Sequence, residues 1–250
     1  MTVGKLLRMG RITRSDGRTL IIALDHGSAG ITEGIEDIAD VVGKVIEGGA
    51  DAILVNFGIA TKVANIIRGR ASLVLGIPYD PRYVKMAVKI GADAIKTTYF
   101  GPVPLSEERT RQIAEVSLHC QEWGMPFMVE VVPTDDQGQV VYDVKKVMQA
   151  ARIGSELGGD LIKTLYVEPP SEYRKVVAAC GAPIVVLGGP KLGSTNDILK
   201  MVEESLEAGA IGGTIGRNIF QQGDPRGITA SIVRIIHGST QRKSSEDVLI

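Results

Sequence analysis

Short apolar runs alternate with helical stretches along nearly the whole chain of 250 residues. Eight of these runs have the length and composition of buried strands: 20–24, 52–57, 72–77, 94–99, 127–132, 161–167, 184–187 and 212–215. Helical apolar spacing fills the segments between them, from 35–47 to a last helix through 228–237. Right-handed crossovers assemble such strand–helix–strand units into a parallel sheet.

Glycines follow several helical stretches just before the next strand, as at Gly91 and Gly209, where a left-handed C-cap suits them. No linker rich in Ser, Pro or Gly divides the chain, and no Gly-x-Gly-x-x-Gly follows the first strand, which counts against a dinucleotide-binding fold. With eight units, we therefore predict an α/β protein made of a single (β/α)8 TIM barrel over residues 1–250, with a polar tail at 239–250.

Composition excludes several classes of function. The formal net charge of −1 offers no general attraction to nucleic acid or to an anionic membrane. No apolar run approaches the roughly 18 residues that cross a bilayer. Cys120 and Cys180 form neither a metal signature nor a disulfide framework. We expect a cytoplasmic protein without nucleic-acid, membrane or metal partners.

The sixth run carries a single lysine, Lys163, within otherwise mostly apolar sequence. A buried ammonium loses hydration, which costs several kcal/mol unless a partner compensates or the amine releases its proton. A neutral, desolvated lysine attacks carbonyl carbon and can form a Schiff base. The alternative is a lysine that pairs with a nearby carboxylate or extends out of the strand end.

A sequence pattern that occurs twice in the chain points to a second lysine. Segments 93–99 and 160–166 share Asp, Ile, Lys-Thr and Tyr in the same register, so Lys96 on strand four corresponds to Lys163 on strand six. Alternate strands fill each interior layer of a barrel, so the two lysines should be neighbours, and their repulsion should lower one pKa. The alternative is repeat-like symmetry in which both lysines are salt-bridged to Asp25 or Glu130.

Three other residues are candidates at the carboxyl ends of the strands. Asp25 ends strand one and Glu130 lies on strand five between the lysine strands, and each is a plausible proton shuttle or iminium counter-ion. His26 follows Asp25 and is a candidate for substrate binding, although a histidine there is often only a hydrogen-bonding scaffold.

Glycines end strands seven and eight, where they leave backbone amides open to an oxyanion. Phosphate binding after these two strands is a recurring use of the barrel, and a forked guanidinium suits phosphate. The alternative is that the glycines serve only tight turns. The predicted phosphate-binding residues are Gly188, Gly189, Lys191, Gly216 and Arg217.

Four motifs carry a family resemblance: Leu24-Asp25-His26-Gly27, Ile162-Lys163-Thr164-x-Tyr166, Gly188-Gly189-Pro190-Lys191 and Gly216-Arg217-Asn218-Ile219-Phe220-Gln221. From about residue 20 to 238 the chain resembles the archaeal-type class I fructose-bisphosphate aldolases, also called the DhnA type. That family includes 2-amino-3,7-dideoxy-threo-hept-6-ulosonate synthase and the thiolase-like enzyme of autoinducer-2 breakdown. The resemblance implies that Lys163 is the Schiff-base lysine, that Asp25 lies near the substrate and that the glycine segments clamp phosphate. It also implies a homo-oligomer, often a decamer.

The chain departs from this family on strand five. The aldolases and the heptulosonate synthase typically carry a tyrosine there, just before a proline, as general acid or base, whereas Val132 precedes Pro133 here. Glu130 points to the same face and is a candidate replacement, with Tyr99 and Tyr166 in reserve. The thiolase-like branch also lacks this tyrosine. We count Tyr166 among the substrate-binding candidates.

Together these features predict a class I aldolase that needs no metal or cofactor. Lys163 would make or break a carbon–carbon bond in a phosphorylated keto-sugar such as fructose 1,6-bisphosphate, while Lys96 depresses its pKa or steers the carbonyl oxygen. The alternatives are a transferase of the same family, either heptulosonate synthase or thiolase-like acyl transfer, and a non-catalytic phosphosugar-binding barrel.

Overall fold

In the computed structural model, which describes residues 1–238, eight parallel strands close into a barrel and each pairs with its neighbours in the chain. The strands are β1 (Thr19–Ala23), β2 (Ala52–Asn56), β3 (Ser72–Gly76), β4 (Ala94–Gly101), β5 (Phe127–Pro133), β6 (Leu161–Thr164), β7 (Ile184–Leu187) and β8 (Gly212–Ile215). The helices are α1 (Val3–Ile12), α2 (Ile38–Glu47), α3 (Phe57–Ile67), α4 (Arg82–Lys89), α5 (Glu107–Glu122), α6 (Val144–Glu156), α7 (Pro170–Ala179), α8 (Thr195–Glu207), α9 (Arg217–Phe220) and α10 (Pro225–His237). A 3-10 helix, His26–Ala29, follows β1. The predicted (β/α)8 TIM barrel is confirmed.

Side-chain alternation along the strands divides the apolar residues into two cores. On β6, for example, Leu161 packs inside the barrel, whereas Ile162 packs outward against the helices. Ile12 of α1 joins the inner core, so α1 closes the end of the barrel at which the strands begin. That end is filled with apolar side chains, which leaves the opposite end for polar ones.

Two aspartates that precede strands tie α1 to the barrel. Asp160 accepts from Lys5 Nζ at 2.7 Å, and Asp93 accepts from Arg11 Nε at 2.6 Å. The same carboxylates cap strand starts, since Asp160 Oδ2 also accepts from the backbone N–H of Phe127 at 2.9 Å. The aspartates of the repeated pattern, Asp93 and Asp160, therefore have a structural role, unlike the lysines that follow each of them by three residues.

Several observed boundaries differ from the predictions. β6 ends at Thr164, three residues before the predicted end at 167, and α3 begins directly after β2 at Phe57. The four-residue helix α9 was not predicted. The polar tail expected at 239–250 lies outside the described residues. Of the helices within residues 1–238, none combines the length and the apolar character needed to cross a bilayer.

Candidate active site

A cavity of about 540 Å³ opens at the carboxyl ends of the strands. Side chains from β1, β4, β5, β6, β7 and β8 line it, together with the loops that follow several of these strands. The predicted site residues among them are Asp25, His26, Lys96, Glu130, Lys163, Gly188, Gly189, Gly216 and Arg217. A larger groove, of about 930 Å³, lies at the other end of the barrel, where charged residues such as Arg11 and Asp93 hold α1 in place. The smaller cavity is the one that contains the candidate catalytic residues.

Two lysines share one carboxylate at the floor of this cavity. Lys96 Nζ lies 2.9 Å from Glu130 Oε2, and Lys163 Nζ lies 2.8 Å from Glu130 Oε1. Lys96 Nζ also donates to Asp25 Oδ2 at 2.7 Å. Strand register produces this geometry, because Glu130 on β5 pairs directly with Lys163 on β6. The lysines are neighbours, as predicted, and the salt-bridged arrangement considered as the alternative is present as well.

The two lysines differ in their electrostatic surroundings. Burial lowers the pKa of Lys163, the carboxylate of Glu130 opposes this, and the charge of Lys96 lowers the pKa further, so the net direction is downward. Burial acts on Lys96 in the same way, but the carboxylates of Glu130 and Asp25 outweigh it and raise the pKa of Lys96. Lys163 is therefore the amine that releases its proton more readily.

Both carboxylates of the site stay ionised. Burial alone would raise their pKa values, but Lys163 and Lys96 together lower the pKa of Glu130 far below its ordinary value. The same two lysines, Lys96 first, lower the pKa of Asp25. The lysines occupy both oxygens of Glu130, Lys163 at Oε1 and Lys96 at Oε2, so Glu130 is better suited to balance positive charge than to carry protons.

His26 is held as a neutral imidazole. Burial lowers its pKa to about 4, the charge of Asp25 opposes this, and the charges of Lys163 and Arg217 reinforce it. Its ring packs edge-on against Phe220, with ring centroids 5.3 Å apart. Its Nδ1 is buried and has no hydrogen-bond partner within residues 1–238. A β-carbon at Gly216 would collide with the His26 ring, which explains the glycine there.

The ends of β7 and β8 form a second polar region, here called the anion end: Gly188, Gly189, Thr214, Gly216 and Arg217. Gly189 has φ +66°, which favours glycine. The Oγ1 of Thr214 and the Nε of Arg217 are buried without hydrogen-bond partners in the described part of the chain. Buried polar atoms are normally satisfied, so these atoms are available to a bound ligand.

Asn218 organises the anion end, although the sequence did not single it out as a site residue. Its Nδ2 donates to the carbonyls of Gly188 at 2.7 Å and Pro190 at 2.9 Å, and its Oδ1 accepts from Leu192 N–H at 2.7 Å. This one buried side chain thus ties the loop after β7 to the turn after β8. Its position in the Gly216-Arg217-Asn218 motif was the available signal.

Two predicted binding residues lie elsewhere. Tyr166 is three positions after Lys163, and side chains separated by an odd number of positions along an extended chain point to opposite faces. Its hydroxyl accordingly donates to Glu204 on α8 at 3.0 Å, and its ring packs on Tyr173 of α7. The prediction that Tyr166 binds substrate is wrong. Tyr99, a reserve candidate three positions after Lys96, also turns away and donates to the carbonyl of Pro102.

Lys191 is exposed and does not line the cavity. Its Nζ donates to the carbonyl of Gln221 at 2.8 Å, so it links the loops after β7 and β8 from outside. The prediction of a direct phosphate contact is corrected to this linking role. The physical reason is that the left-handed turn at Gly189 and the proline after it direct the next residue away from the barrel axis.

The mouth of the cavity on the β4 and β5 side is apolar. Val132 stands where the tyrosine was expected, one layer above Glu130, and pairs in register with Phe100 on β4. Tyr142, on the loop after β5, also lines the cavity, and a β-carbon at Gly189 would lie 3.7 Å from its hydroxyl. Neither Phe100 nor Tyr142 belongs to a recognisable motif, so sequence reasoning missed both.

Comparisons with known proteins agree with this geometry. The family model described as DeoC/LacD family aldolase matches residues 19–222. The chain is 34% identical to 2-amino-3,7-dideoxy-D-threo-hept-6-ulosonate synthase 1 of Archaeoglobus fulgidus, over 95% of this chain and 92% of that protein. It is 30% identical to 2-amino-3,7-dideoxy-D-threo-hept-6-ulosonate synthase of Halobacterium salinarum, over 94% and 92%.

Solved structures point the same way. An archaeal fructose 1,6-bisphosphate aldolase superposes with a TM-score of 0.82 at 26% identity, covering 94% of this chain and 99% of that one. A second archaeal fructose-1,6-bisphosphate aldolase, with its catalytic lysine covalently bound to the carbinolamine intermediate, gives 0.81 at 28% identity over 94% and 100%. The predicted resemblance to class I aldolases is confirmed. The chain is an aldolase-class enzyme and belongs to the DeoC/LacD aldolase family.

Proposed function

We propose that this enzyme uses Lys163 as a Schiff-base nucleophile to make or break a carbon–carbon bond in a phosphorylated ketose. The observation that carries the proposal is a buried lysine with a lowered pKa in a cavity that also contains an anion end. The archaeal aldolase with a lysine-bound carbinolamine supports the same chemistry. A substrate with a ketone near a phosphate would place the ketone at Lys163 and the phosphate at the anion end of the same cavity.

In the proposed reaction, the neutral amine of Lys163 adds to the ketone carbon, and the carbinolamine then loses water to form an iminium ion. The iminium accepts the electron pair of the breaking carbon–carbon bond and becomes an enamine, while an aldehyde leaves. Protonation of the enamine and addition of water release the second product and restore the amine. Condensation runs through the same steps in reverse.

Three neighbouring side chains assist these steps. Glu130 lies 2.8 Å from Lys163 Nζ and balances the positive charge of the iminium. Lys96 remains an ammonium between Asp25 and Glu130, from which it hydrogen-bonds the oxygen that leaves as water. Asp25, the more accessible of the two carboxylates, accepts the proton of the substrate hydroxyl from which the aldehyde forms.

Borohydride trapping tests the identity of the nucleophile. With a ketose phosphate, reduction of the iminium leaves a stable mass increase that peptide mapping should place on Lys163. Lys163→Met should abolish the increase, and Lys191→Met, which replaces an exposed lysine outside the cavity, should retain it. An adduct that persists in Lys163→Met, or that maps to Lys96, would contradict the proposal.

A second candidate is transfer of the enamine to another carbonyl compound rather than simple cleavage. The observation in its favour is that two relatives, at 34% and 30% identity, are named as heptulosonate synthases. Incubation of a ketose phosphate without an acceptor separates the candidates. Release of a free aldehyde and a triose phosphate indicates cleavage, whereas turnover that requires an added second carbonyl compound indicates transfer.

A further inference from the structure

Thr98 connects the buried lysines to the outer part of the barrel wall. It lies on β4 two positions after Lys96, so its side chain faces the same cavity, and it pairs in register with Glu130 on β5. Its Oγ1 donates to Glu130 Oε2 at 2.9 Å. Lys96 Nζ donates to the same oxygen at 2.9 Å, whereas Lys163 Nζ lies 2.8 Å from Oε1. Thr98 is therefore a neutral donor beside two cationic ones.

The orientation of the Glu130 carboxylate needs such a third donor. The last torsion of a glutamate side chain is broad and roughly two-fold, so the side chain does not fix the plane of its own carboxylate. A hydroxyl that is attached to a strand selects one orientation, with Oε2 toward Lys96 and Thr98 and Oε1 toward Lys163. The direction of this carboxylate sets how closely Lys163 is paired with negative charge.

Tyr79 holds the backbone of Thr98 where the neighbouring strand has ended. The pairing of β3 with β4 stops at Gly76 and Lys96, and the carbonyl of Lys96 accepts from the N–H of Ile77 at 2.9 Å. The carbonyl of Thr98, two positions later, points to the same edge of β4. The hydroxyl of Tyr79, in the loop after β3, donates to this carbonyl. Burial raises the pKa of Tyr79 to about 12, so the hydroxyl keeps the proton that it donates.

Arg109 on α5 in turn holds the ring of Tyr79. The guanidinium carbon of Arg109 lies 3.9 Å from the centroid of the Tyr79 ring and 5.9 Å from that of Tyr99. A guanidinium over an aromatic face is attracted by the ring quadrupole, which restrains both partners. Thr98 is thus anchored twice, by its carbonyl to a restrained tyrosine and by its hydroxyl to the carboxylate beside Lys163.

From these contacts we propose that Tyr79 and Thr98 are positioning residues: Tyr79 fixes the backbone of Thr98, and the hydroxyl of Thr98 orients the Glu130 carboxylate beside Lys163. The inference deepens the function proposed above and rests on it. Without the Thr98 donor, Glu130 turns further toward Lys163, and the closer ion pair keeps the amine in its protonated, unreactive form. Besides Glu130, the charged or titratable groups that share this cavity with Lys163 stay unchanged in the variants below: Asp25, His26, Lys96 and Arg217.

Two variants of Thr98 form a matched pair for the test. Thr98→Val keeps the branched shape and removes the hydroxyl, whereas Thr98→Ser keeps the hydroxyl. With dihydroxyacetone phosphate as the phosphorylated ketone, timed borohydride quenching measures the rate of adduct formation on Lys163 as a function of pH. In wild type this rate rises with pH as the amine loses its proton, and the midpoint of the rise is the readout.

We expect Thr98→Val to move the midpoint upward by about half a pH unit or more, and to slow adduct formation about 3- to 10-fold below the midpoint, as suits the loss of one neutral hydrogen bond. Thr98→Ser should retain the wild-type midpoint. Tyr79→Phe leaves β4 untouched and should move the midpoint in the same direction by a smaller amount. Tyr83→Phe, which makes the same change on α4 outside the cavity, should have no effect.

The midpoint distinguishes a positioning role from a merely structural one. If Thr98→Val or Tyr79→Phe retains the wild-type midpoint, or if Thr98→Ser shifts it as far as Thr98→Val does, the positioning inference is overturned while Lys163 keeps its role. If wild type itself forms no adduct on Lys163, the Schiff-base function fails, and the inference falls with it.

Discussion

Replacing Glu130 with glutamine removes the charge that Lys96 and Lys163 share. The carboxylate is buried, lies 2.8 Å from Lys163 Nζ and 2.9 Å from Lys96 Nζ, and also accepts from Thr98 Oγ1 at 2.9 Å. Removal of one partner from a buried ion pair costs about 3–5 kcal/mol. Each kcal/mol lowers Tm by about 2–4 °C in a chain of this size. We therefore expect Glu130→Gln to lower the free energy of unfolding by about 3–5 kcal/mol at pH 6.

The loss should shrink as pH rises. The pKa of Lys163 is already lowered by burial, and without Glu130 it falls further. A lysine whose pKa is lower in the folded state than in the unfolded state costs stability at low pH, and stability recovers as pH rises above the folded pKa. Urea denaturation at pH 6 and pH 9 measures the difference, which we expect to reach about 1 kcal/mol or more.

Glu204→Gln is the matched control, because it makes the same chemical change at the partner of Tyr166 outside the barrel. A neutral amide can still accept that hydrogen bond, so the expected loss is below about 1 kcal/mol at both pH values. A loss in Glu130→Gln that is equally small, or that does not vary with pH, would refute the charge arrangement described here.

Three further predictions concern the anion end and the base of the barrel. Arg217→Gln removes the guanidinium of the anion end, so kcat/KM for a ketose phosphate should fall about 10- to 150-fold, consistent with a charged hydrogen bond of about 1.5–3 kcal/mol. Inhibition by inorganic phosphate should weaken in parallel. Asn218→Ala frees the loop after β7 and should raise KM about 10-fold with a smaller effect on kcat, in line with loss of about 1–2 kcal/mol of positioning; steady-state kinetics that show a kcat defect alone would argue against a positioning role. Burial lowers the pKa of His237, but hydrogen bonds to Asp51 and Asp16 outweigh burial and raise it overall. The stability that His237 contributes should therefore be fully present below about pH 6.5 and lost as pH rises through its folded pKa. Wild type and His237→Gln should converge in urea denaturation at high pH.

Much of the active site could be predicted because it follows from strand periodicity. Lys96, Glu130 and Lys163 sit on neighbouring strands at positions that face the barrel axis, and the register of β4, β5 and β6 brings them together. The same rule places Tyr166 on the outer face, so that error came from the motif's resemblance and not from any lack of local signal. The expected homo-oligomer and cytoplasmic location stay predictions.

The order of apolar runs, helices and glycine turns in the sequence determined a parallel eight-stranded barrel with its polar residues at one end, because these patterns are local and repeat at fixed spacing. Only the tertiary structure decided which lysine holds two carboxylates, that Asn218 bridges two loops, and that Phe100 and Tyr142 reach the cavity. Asn218 and Gly188 are 30 positions apart, and Lys96 and Asp25 are 71 positions apart. Contacts of this kind depend on barrel closure and loop paths, which no short stretch of sequence encodes.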